Sequence, residues 1–281
     1  MNSPQKNIDK ENIQKQIKEL LDSDTDLQEE GKPFSERKDD VSLSPSETVL
    51  RTQTPKPYRF IPLTMGGGGR THVPSKESRE MILDEVSLKD LTTMTTNFYD
   101  KAFQDKTLDS FIRSHNDPHG SRFAKWIHQK LSGSHIWDQD RESRGRHAPV
   151  HDRTSAHVAA WYSPKRPASE RGRHFELGEC RVWMRLHFWA LREWGLMEKS
   201  PSFADYYVRF IAHFVRVYES TAPAFARESL RWSANPKNID AYMRNGREMK
   251  DVLKLSFSKA VAQLPEDEME DDEWPYQQTT R

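Results

Sequence analysis

The chain has 281 residues, of which 35% are hydrophobic and 31% are charged. In a typical soluble domain about 45–50% of the residues are apolar and about 25% are charged, so part of this chain is expected not to fold. Its 43 basic and 43 acidic residues cancel, which leaves no basic excess for nucleic-acid binding, and no apolar run approaches the roughly 20 residues that span a bilayer. The single cysteine, Cys180, excludes an internal disulfide framework and indicates a reducing compartment, so we expect a cytoplasmic protein with no nucleic-acid or membrane partner.

The first 75 residues are predicted to form a disordered arm and linker. Residues 1–57 contain no tryptophan and one phenylalanine, Phe34, so they bury too little apolar area to offset the entropy of ordering them. Four glycines at 66–69 follow, without the Gly-Lys-Ser/Thr ending of a phosphate-binding loop, and indicate a flexible linker. The arm is also a candidate docking segment for a protein partner, because it carries hydroxyl groups that a kinase could phosphorylate. These are Ser42, Ser44, Ser46, Thr52 and Thr54.

Helical periodicity dominates the next part of the chain. Apolar residues at spacings of three and four run through residues 88–103, and Ser87 with Asp90 three residues on predicts an N-cap. A turn at Asn116-Asp117-Pro118 leads into a second helix, for which Ser132-Gly133 is a natural end. Residues 138–153 are polar and basic and indicate a loop, and residues 155–162 form a short apolar segment after it.

The second half of the chain carries the strongest helical patterns. Residues 182–191 are apolar almost all round, which predicts a buried helix, and residues 203–218 give the clearest amphipathic stripe. Residues 221–264 are predicted to be a helical C-terminal extension that wraps back on the domain, and residues 265–281 an acidic disordered tail. Since alternating strand patterns are scarce, the predicted fold class is all-α.

Histidine is the residue type most able to carry chemistry here. His147 and His151 lie four apart, as do His115 and His119, but proline close to each pair argues against a helical metal site. His157 differs because it sits in a small apolar segment; a histidine there is either a core residue satisfied by a backbone carbonyl or a functional ligand.

Several fragments of the chain, taken in order, resemble the truncated (two-over-two) haemoglobins, especially the group with a tryptophan in its ligand site. The resemblance covers about residues 80 to 218. The fragments are Asn97-Phe98-Tyr99-Asp100-Lys101-Ala102-Phe103, Leu108-Asp109-Ser110-Phe111, His119-Gly120-Ser121-Arg122-Phe123-Ala124-Lys125-Trp126, Ser155-Ala156-His157-Val158-Ala159 and Val182-Trp183-Met184-Arg185-Leu186. The segments on either side of His157 are longer than is usual in the family, and Ser132-Gly133 stands where the family has a Gly-Gly pair.

The resemblance implies a globin-like two-over-two helical sandwich at residues 76–220 that holds haem b. His157 is then the axial ligand of the iron, and Tyr99 and Trp183 donate hydrogen bonds to a diatomic gas, dioxygen or nitric oxide. His119 is a third donor or a sixth ligand. The implied use is sensing, or redox chemistry on nitric oxide or peroxide. The implied cofactor-binding residues are Tyr99, Phe111, His119, Phe123, His157 and Trp183.

Two alternatives stay open at this point. A haem-free globin fold could serve as an interaction module, and a pocket filled by Trp161, Phe188 or Trp189 would favour it. A metal enzyme could instead use His147, His151 and His157. His187, one turn after Trp183, is a further candidate for an inward-facing histidine.

Overall fold

The fold is described by a computed structural model for residues 56–69, 71–145 and 152–264. The predictions for the arm up to residue 55, for His147 and His151, and for the acidic tail lie outside these residues. The all-α class is confirmed in the described part of the chain, which adds one short hairpin of β1 (Met65–Gly66) and β2 (Thr71–His72). The helices are α1 (Lys76–Glu85), α2 (Leu88–Gln104), α3 (His119–Ser132), α4 (Ile136–Arg144), α5 (Arg153–Trp161), α6 (Leu177–Glu193), α7 (Leu196–Lys199), α8 (Pro201–Val215), α9 (Ala226–Ala234), α10 (Pro236–Arg244) and α11 (Phe257–Val261), with 3-10 turns at Asp109–Phe111 and Ala222–Phe225.

The packed part of the chain begins earlier than residue 76, the predicted start of the domain. Ile61 and Leu63 are each only 2% exposed and belong to the main core, and the Arg59 guanidinium pairs with the Glu85 carboxylate at 3.1 Å. The glycine run forms the turn between β1 and β2, where Gly67, Gly68 and Gly69 have φ angles of 57°, 67° and 82°. Such angles suit glycine because it has no Cβ.

Local capping sets the ends of α2 and α3 as the sequence predicts. The Ser87 and Asp90 side chains form a capping box at the start of α2, which satisfies amides that would otherwise lack a partner. Helix α3 ends before Gly133, whose φ of 72° is left-handed.

The prediction of a loop over residues 138–153 is wrong for its first part, which belongs to α4. The side-chain oxygen of Gln129 accepts hydrogen bonds from the backbone amides of Trp137 and Asp138, so a residue of α3 caps this helix. Asp140 then pairs with Arg144 one turn on, at 2.9 Å. These polar interactions stabilise a helix that has no buried residue and therefore no apolar period to detect.

The core lies where α8 packs beneath α1, α3 and α6. Thirteen of the fifteen residues of α8 are buried, which explains why its sequence stripe is the strongest in the chain. Helices α2 and α3 cross in close contact: the Thr95 hydroxyl donates to the Gly120 carbonyl at 2.7 Å, and a Cβ at Gly120 would lie 2.7 Å from the Thr96 Cα.

The C-terminal extension packs back on α2 and α6. Trp232 and Tyr242 are 8% and 4% exposed and join a second buried cluster with Phe98. The Tyr242 hydroxyl donates to the Asp105 carboxylate at 3.1 Å, just beyond the end of α2. Among the helices of the described residues, none has both the length and the apolar character needed to cross a membrane.

Candidate functional site

A cavity of about 290 Å³ lies between α2, α3, α5 and α6, near the end of α8. This is just below the range of about 300–1,000 Å³ that is usual for small-molecule and cofactor pockets. All six residues predicted from the resemblance line it, so residues that are up to 84 positions apart in sequence meet at one place. They are Tyr99, Phe111, His119, Phe123, His157 and Trp183.

One wall of the cavity is a set of rings from α2, α3 and α6. Tyr99 stacks on His119 with ring centroids 5.0 Å apart and meets Phe123 edge to face at 6.4 Å. Phe123 in turn lies 6.2 Å from Trp183. The Tyr99 hydroxyl and the Trp183 indole N–H make no hydrogen bond within the described residues, so both donors are available to a ligand in the cavity.

Burial decides the protonation state of this wall. It raises the pKa of Tyr99 to about 12, with a smaller contribution from the nearby Tyr218, so the hydroxyl keeps its proton at neutral pH. Burial also lowers the pKa of His119, against the opposing effect of its hydrogen bond to the Ser114 backbone.

His119 has one ring nitrogen already engaged. Its Nε2–H donates to the Ser114 carbonyl at 2.9 Å, which leaves Nδ1 as the nitrogen that could meet a ligand. His115 does not converge with it, because its Nε2 lies 2.5 Å from the Asp109 carboxylate and its ring stacks on Phe103.

His157 lines the same cavity from α5. Its Nδ1 lies 3.3 Å from the Tyr218 hydroxyl, and its ring meets Phe175 edge to face at 5.9 Å. Since the Tyr218 contact engages Nδ1, Nε2 is the nitrogen left for a ligand. Burial, followed by the positive charge of Arg153, lowers the pKa of His157 to about 3, although the Arg153 backbone and Asp152 act in the other direction. The imidazole is therefore neutral at pH 7 and has a lone pair to donate.

Helix α5 lies on the cavity rather than on the protein core. Of its nine residues only Trp161, at its C-terminal end, is buried. The helix forms nevertheless because Asp152 and Ser155 make a capping box at its start, with the Ser155 amide 2.7 Å from the Asp152 carboxylate. A local polar cap thus holds His157 in a helix that has little packing of its own.

Basic groups border the cavity. Arg122 Nε and Arg153 Nη1 are buried and have no hydrogen-bond partner within the described residues, which is a costly state for a charged group. The Arg153 guanidinium lies over the Trp126 ring at 5.4 Å. Burial raises the pKa of Glu179, a lining carboxyl, to about 7. Because the Glu179 carboxyl is partly protonated near neutral pH, it neutralises the arginines less, and the border of the cavity favours an acidic group on a ligand.

His187 does not face the cavity. It is fully buried, its Nε2 lies 2.7 Å from the Tyr207 hydroxyl, and its ring stacks on Trp183 at 4.6 Å. His187 therefore supports the Trp183 indole on a side that does not line the cavity. Cys180 does line the cavity, but burial raises the pKa of its thiol well above the usual range, which makes it a poor nucleophile.

The residues that line the cavity but were not predicted from the sequence include Tyr218, Phe175, Arg122 and Arg153. Tyr218 and Phe175 lie outside regular helices, and Arg122 and Arg153 are charged residues of a kind usually found in solvent. The first of these had a signal, because Tyr218 continues the aromatic stripe of α8. The arginines had none, since only the fold shows that their guanidinium groups point inward.

Comparison of the chain with protein-family models, with curated proteins and with solved structures finds no match. Within the described residues, no group of three or more His, Cys, Asp and Glu side chains is arranged to hold a metal ion.

Proposed function

We propose that this chain is a truncated-globin-like haem protein that binds a diatomic gas, dioxygen or nitric oxide, and that His157 would ligate the iron. The observation that carries the proposal is that one cavity is lined by a neutral imidazole, His157 on α5, and by two donors, Tyr99 and Trp183, that have no hydrogen-bond partner within the described residues.

The residues present fit haem b in three respects. The walls are mainly apolar, as an apolar macrocycle requires, with aromatic residues such as Phe111 and Phe123 among them. A single neutral histidine is the proximal ligand set of the globins. Arg122 and Arg153 have buried donor nitrogens with no partner among the described residues, and the carboxylate groups of haem b would supply acceptors for them.

When bound, haem iron supplies an open coordination position for a diatomic ligand. The protein's own groups then decide how strongly the ligand is held. The Tyr99 hydroxyl and the Trp183 N–H each donate to a partly anionic ligand, which is worth on the order of 1–3 kcal/mol per donor. Because the pKa of Tyr99 is about 12, this donor is present throughout the physiological pH range. We propose sensing, or redox chemistry on nitric oxide or peroxide, as the use of this site.

The haem-free interaction module lacks the observation that would favour it. Trp161, Phe188 and Trp189 do not line the cavity: Trp161 stacks on His174, Phe188 is in the main core, and Trp189 packs on the second cluster. For the metal enzyme, His147 and His151 lie outside the described residues, so it stays a prediction.

An absorption spectrum of the full chain tests the proposal. Expressed with a haem precursor, the wild type is expected to show a strong Soret band at one haem per chain. His157→Ala is expected to weaken or shift this band, and added imidazole to restore it in part, because the free base can occupy the vacated position. His135→Ala is the matched control, since the His135 side chain is 77% exposed.

Two results would overturn the proposal. The first is a helical circular dichroism spectrum with no Soret band after haem titration, which would leave the haem-free module ahead. The second is a Soret band that His157→Ala and His135→Ala leave equally unchanged, which would remove His157 as the ligand.

A further inference from the structure

A second pocket, of about 420 Å³, lies between α6 and the C-terminal extension, of which α9 forms part of the wall. It shares no lining residue with the first cavity, and its lining residues are polar or charged except for Trp232. Its lining residues are Arg181, Arg185, Glu228, Arg231, Trp232, Asn235, Asn238, Asp251 and Gln263.

Two of its arginines are buried one helical turn apart on α6. Arg181 and Arg185 are only 1% and 3% exposed, and both pair with the same carboxylate. Arg181 Nη2 lies 3.4 Å from Glu228 Oε2, and Arg185 Nε donates to Glu228 Oε1 at 3.1 Å. A second carboxylate, Asp251, lies 2.6 Å from Arg185 Nη1 but is 57% exposed. The Glu228 carboxylate, which is partly exposed, thus pairs with two buried guanidinium groups.

The hydrogen bonds of Arg181 are incomplete. Its Nη1 donates to Gln263 Oε1 at 3.2 Å, whereas its Nε is buried and has no partner within the described residues. With Arg231, which is exposed, the pocket carries three positive and two negative charges. Burial is also the main cause that lowers the pKa of Arg181, which means that its charged form is under-solvated.

We propose that this pocket binds an oxyanion, a carboxylate or phosphate group, through Arg181, Arg185 and Arg231. Guanidinium groups match the planar or tetrahedral oxygen arrangement of such anions and can bind them bidentately. The side-chain amides of Asn235 and Asn238 line the same pocket and add donor groups. This proposal is independent of the haem proposal.

Two sources can supply this chemistry. The acidic run of the chain itself begins at Glu266, three residues beyond the pocket residue Gln263, so its carboxylates would be present at a high effective concentration. A free phosphate compound is the other source, and the experiment separates the two.

The test is titration calorimetry with inorganic pyrophosphate at constant ionic strength, on two full-length backgrounds. One is the wild type. In the other, the seven acidic residues of 266–273 are replaced by their amides. On the amide background we expect binding that Arg231→Gln weakens about tenfold or more, because it removes one charge-assisted contact. Arg244→Gln, an exposed arginine of α10 outside the pocket, has the same net charge and is expected to leave the affinity unchanged.

The wild-type background identifies the source. Pyrophosphate affinity at least tenfold lower than on the amide background would show that the chain's own carboxylates compete for the pocket, and equal affinity would show that a free anion is the ligand. The proposal is overturned if neither background binds pyrophosphate, or if Arg231→Gln and Arg244→Gln have the same effect. Because Arg231 is exposed, its replacement leaves the buried pairs of Arg181 and Arg185 in place.

Discussion

The protonation states of His157 and Tyr99, which both line the main cavity, have the same physical cause. Burial disfavours the charged form of each group, so the pKa of His157 falls to about 3 and that of Tyr99 rises to about 12. At neutral pH His157 therefore offers a lone pair while Tyr99 offers a proton. A ligand in the cavity therefore has both a base and a hydrogen-bond donor in its lining.

Removing the Tyr99 hydroxyl tests this arrangement in the haem-loaded protein. Tyr99→Phe keeps the ring that stacks on His119 but deletes the donor, so the affinity for dioxygen is expected to fall about tenfold, in line with about 1–3 kcal/mol per hydrogen bond. Affinity for carbon monoxide, a less polar ligand, is expected to change much less. Flash photolysis with both gases measures the two effects.

The control for this prediction is Phe103→Leu, because Phe103 contacts the Tyr99 ring from outside the set of lining residues. It should leave the discrimination between the gases unchanged. An equal loss of both affinities in Tyr99→Phe would mean that the substitution alters the cavity shape and that the hydroxyl is not a ligand contact.

At the scale of single elements, sequence patterns predict well where apolar periodicity and caps coincide. Helix α8 and the start of α2 show this, because burial and the Ser87–Asp90 capping box are both encoded locally. Helix α4 was not predicted because Gln129, the residue that caps it, belongs to another helix. The hairpin was not predicted because its strands have two residues each, which is too few for an alternating pattern.

The crossing of α2 and α3 offers a stability test. Gly120→Ala would place a Cβ 2.6 Å from Thr96 Oγ1 and 2.8 Å from its backbone nitrogen, so the helices must separate. We expect the free energy of unfolding to fall by about 1–3 kcal/mol, as in other overpacked contacts, measured by urea denaturation. Ser121→Ala, at the next position of α3, is the control and should leave stability within about 0.5 kcal/mol. Equal stability of the two variants would contradict the close crossing.

At the scale of the whole molecule, the C-terminal extension is joined to the domain through a buried carboxyl. Asp105 accepts hydrogen bonds from the backbone amides of Thr107 and Leu108 and from the Tyr242 hydroxyl. Burial nevertheless raises the pKa of Asp105 to about 6. The folded state therefore holds this proton more tightly than the unfolded state. The resulting stability is full below about pH 4 and is lost as the pH rises through about 6.

Asp105→Asn removes this pH dependence while keeping an oxygen for the two amides. The difference in unfolding free energy, variant minus wild type, is expected to rise by about 1–2 kcal/mol from pH 5 to pH 7.5. The reason is that only the wild type loses the Asp105 proton, and with it stability, over this range. Urea denaturation at the two pH values measures the difference. Asp100 is an exposed residue of α2, and Asp100→Asn is the control that should show no such change. If the difference between Asp105→Asn and the wild type were the same at both pH values, Asp105 would not titrate in this range and the prediction would be wrong.

The site as a whole could be predicted only through the order of its fragments. No single spacing links Tyr99 to His157 or Trp183, and aromatic residues at helical spacing are more often core than ligand contacts. Their convergence depends on how the helices stack, which the local sequence does not encode. The inward direction of Arg122 and Arg153 depends on the same stacking.

The shallow packing of α5 ties the site to the dynamics of the fold. Eight of its nine residues are partly exposed, so without a ligand little free energy opposes local opening of this helix. A ligand that fills the cavity supplies the surface on which the helix packs. Ligand affinity and the local folding equilibrium of residues 153–161 are then one linked quantity, and a substitution that only loosens this helix acts as an affinity mutation without touching the ligand.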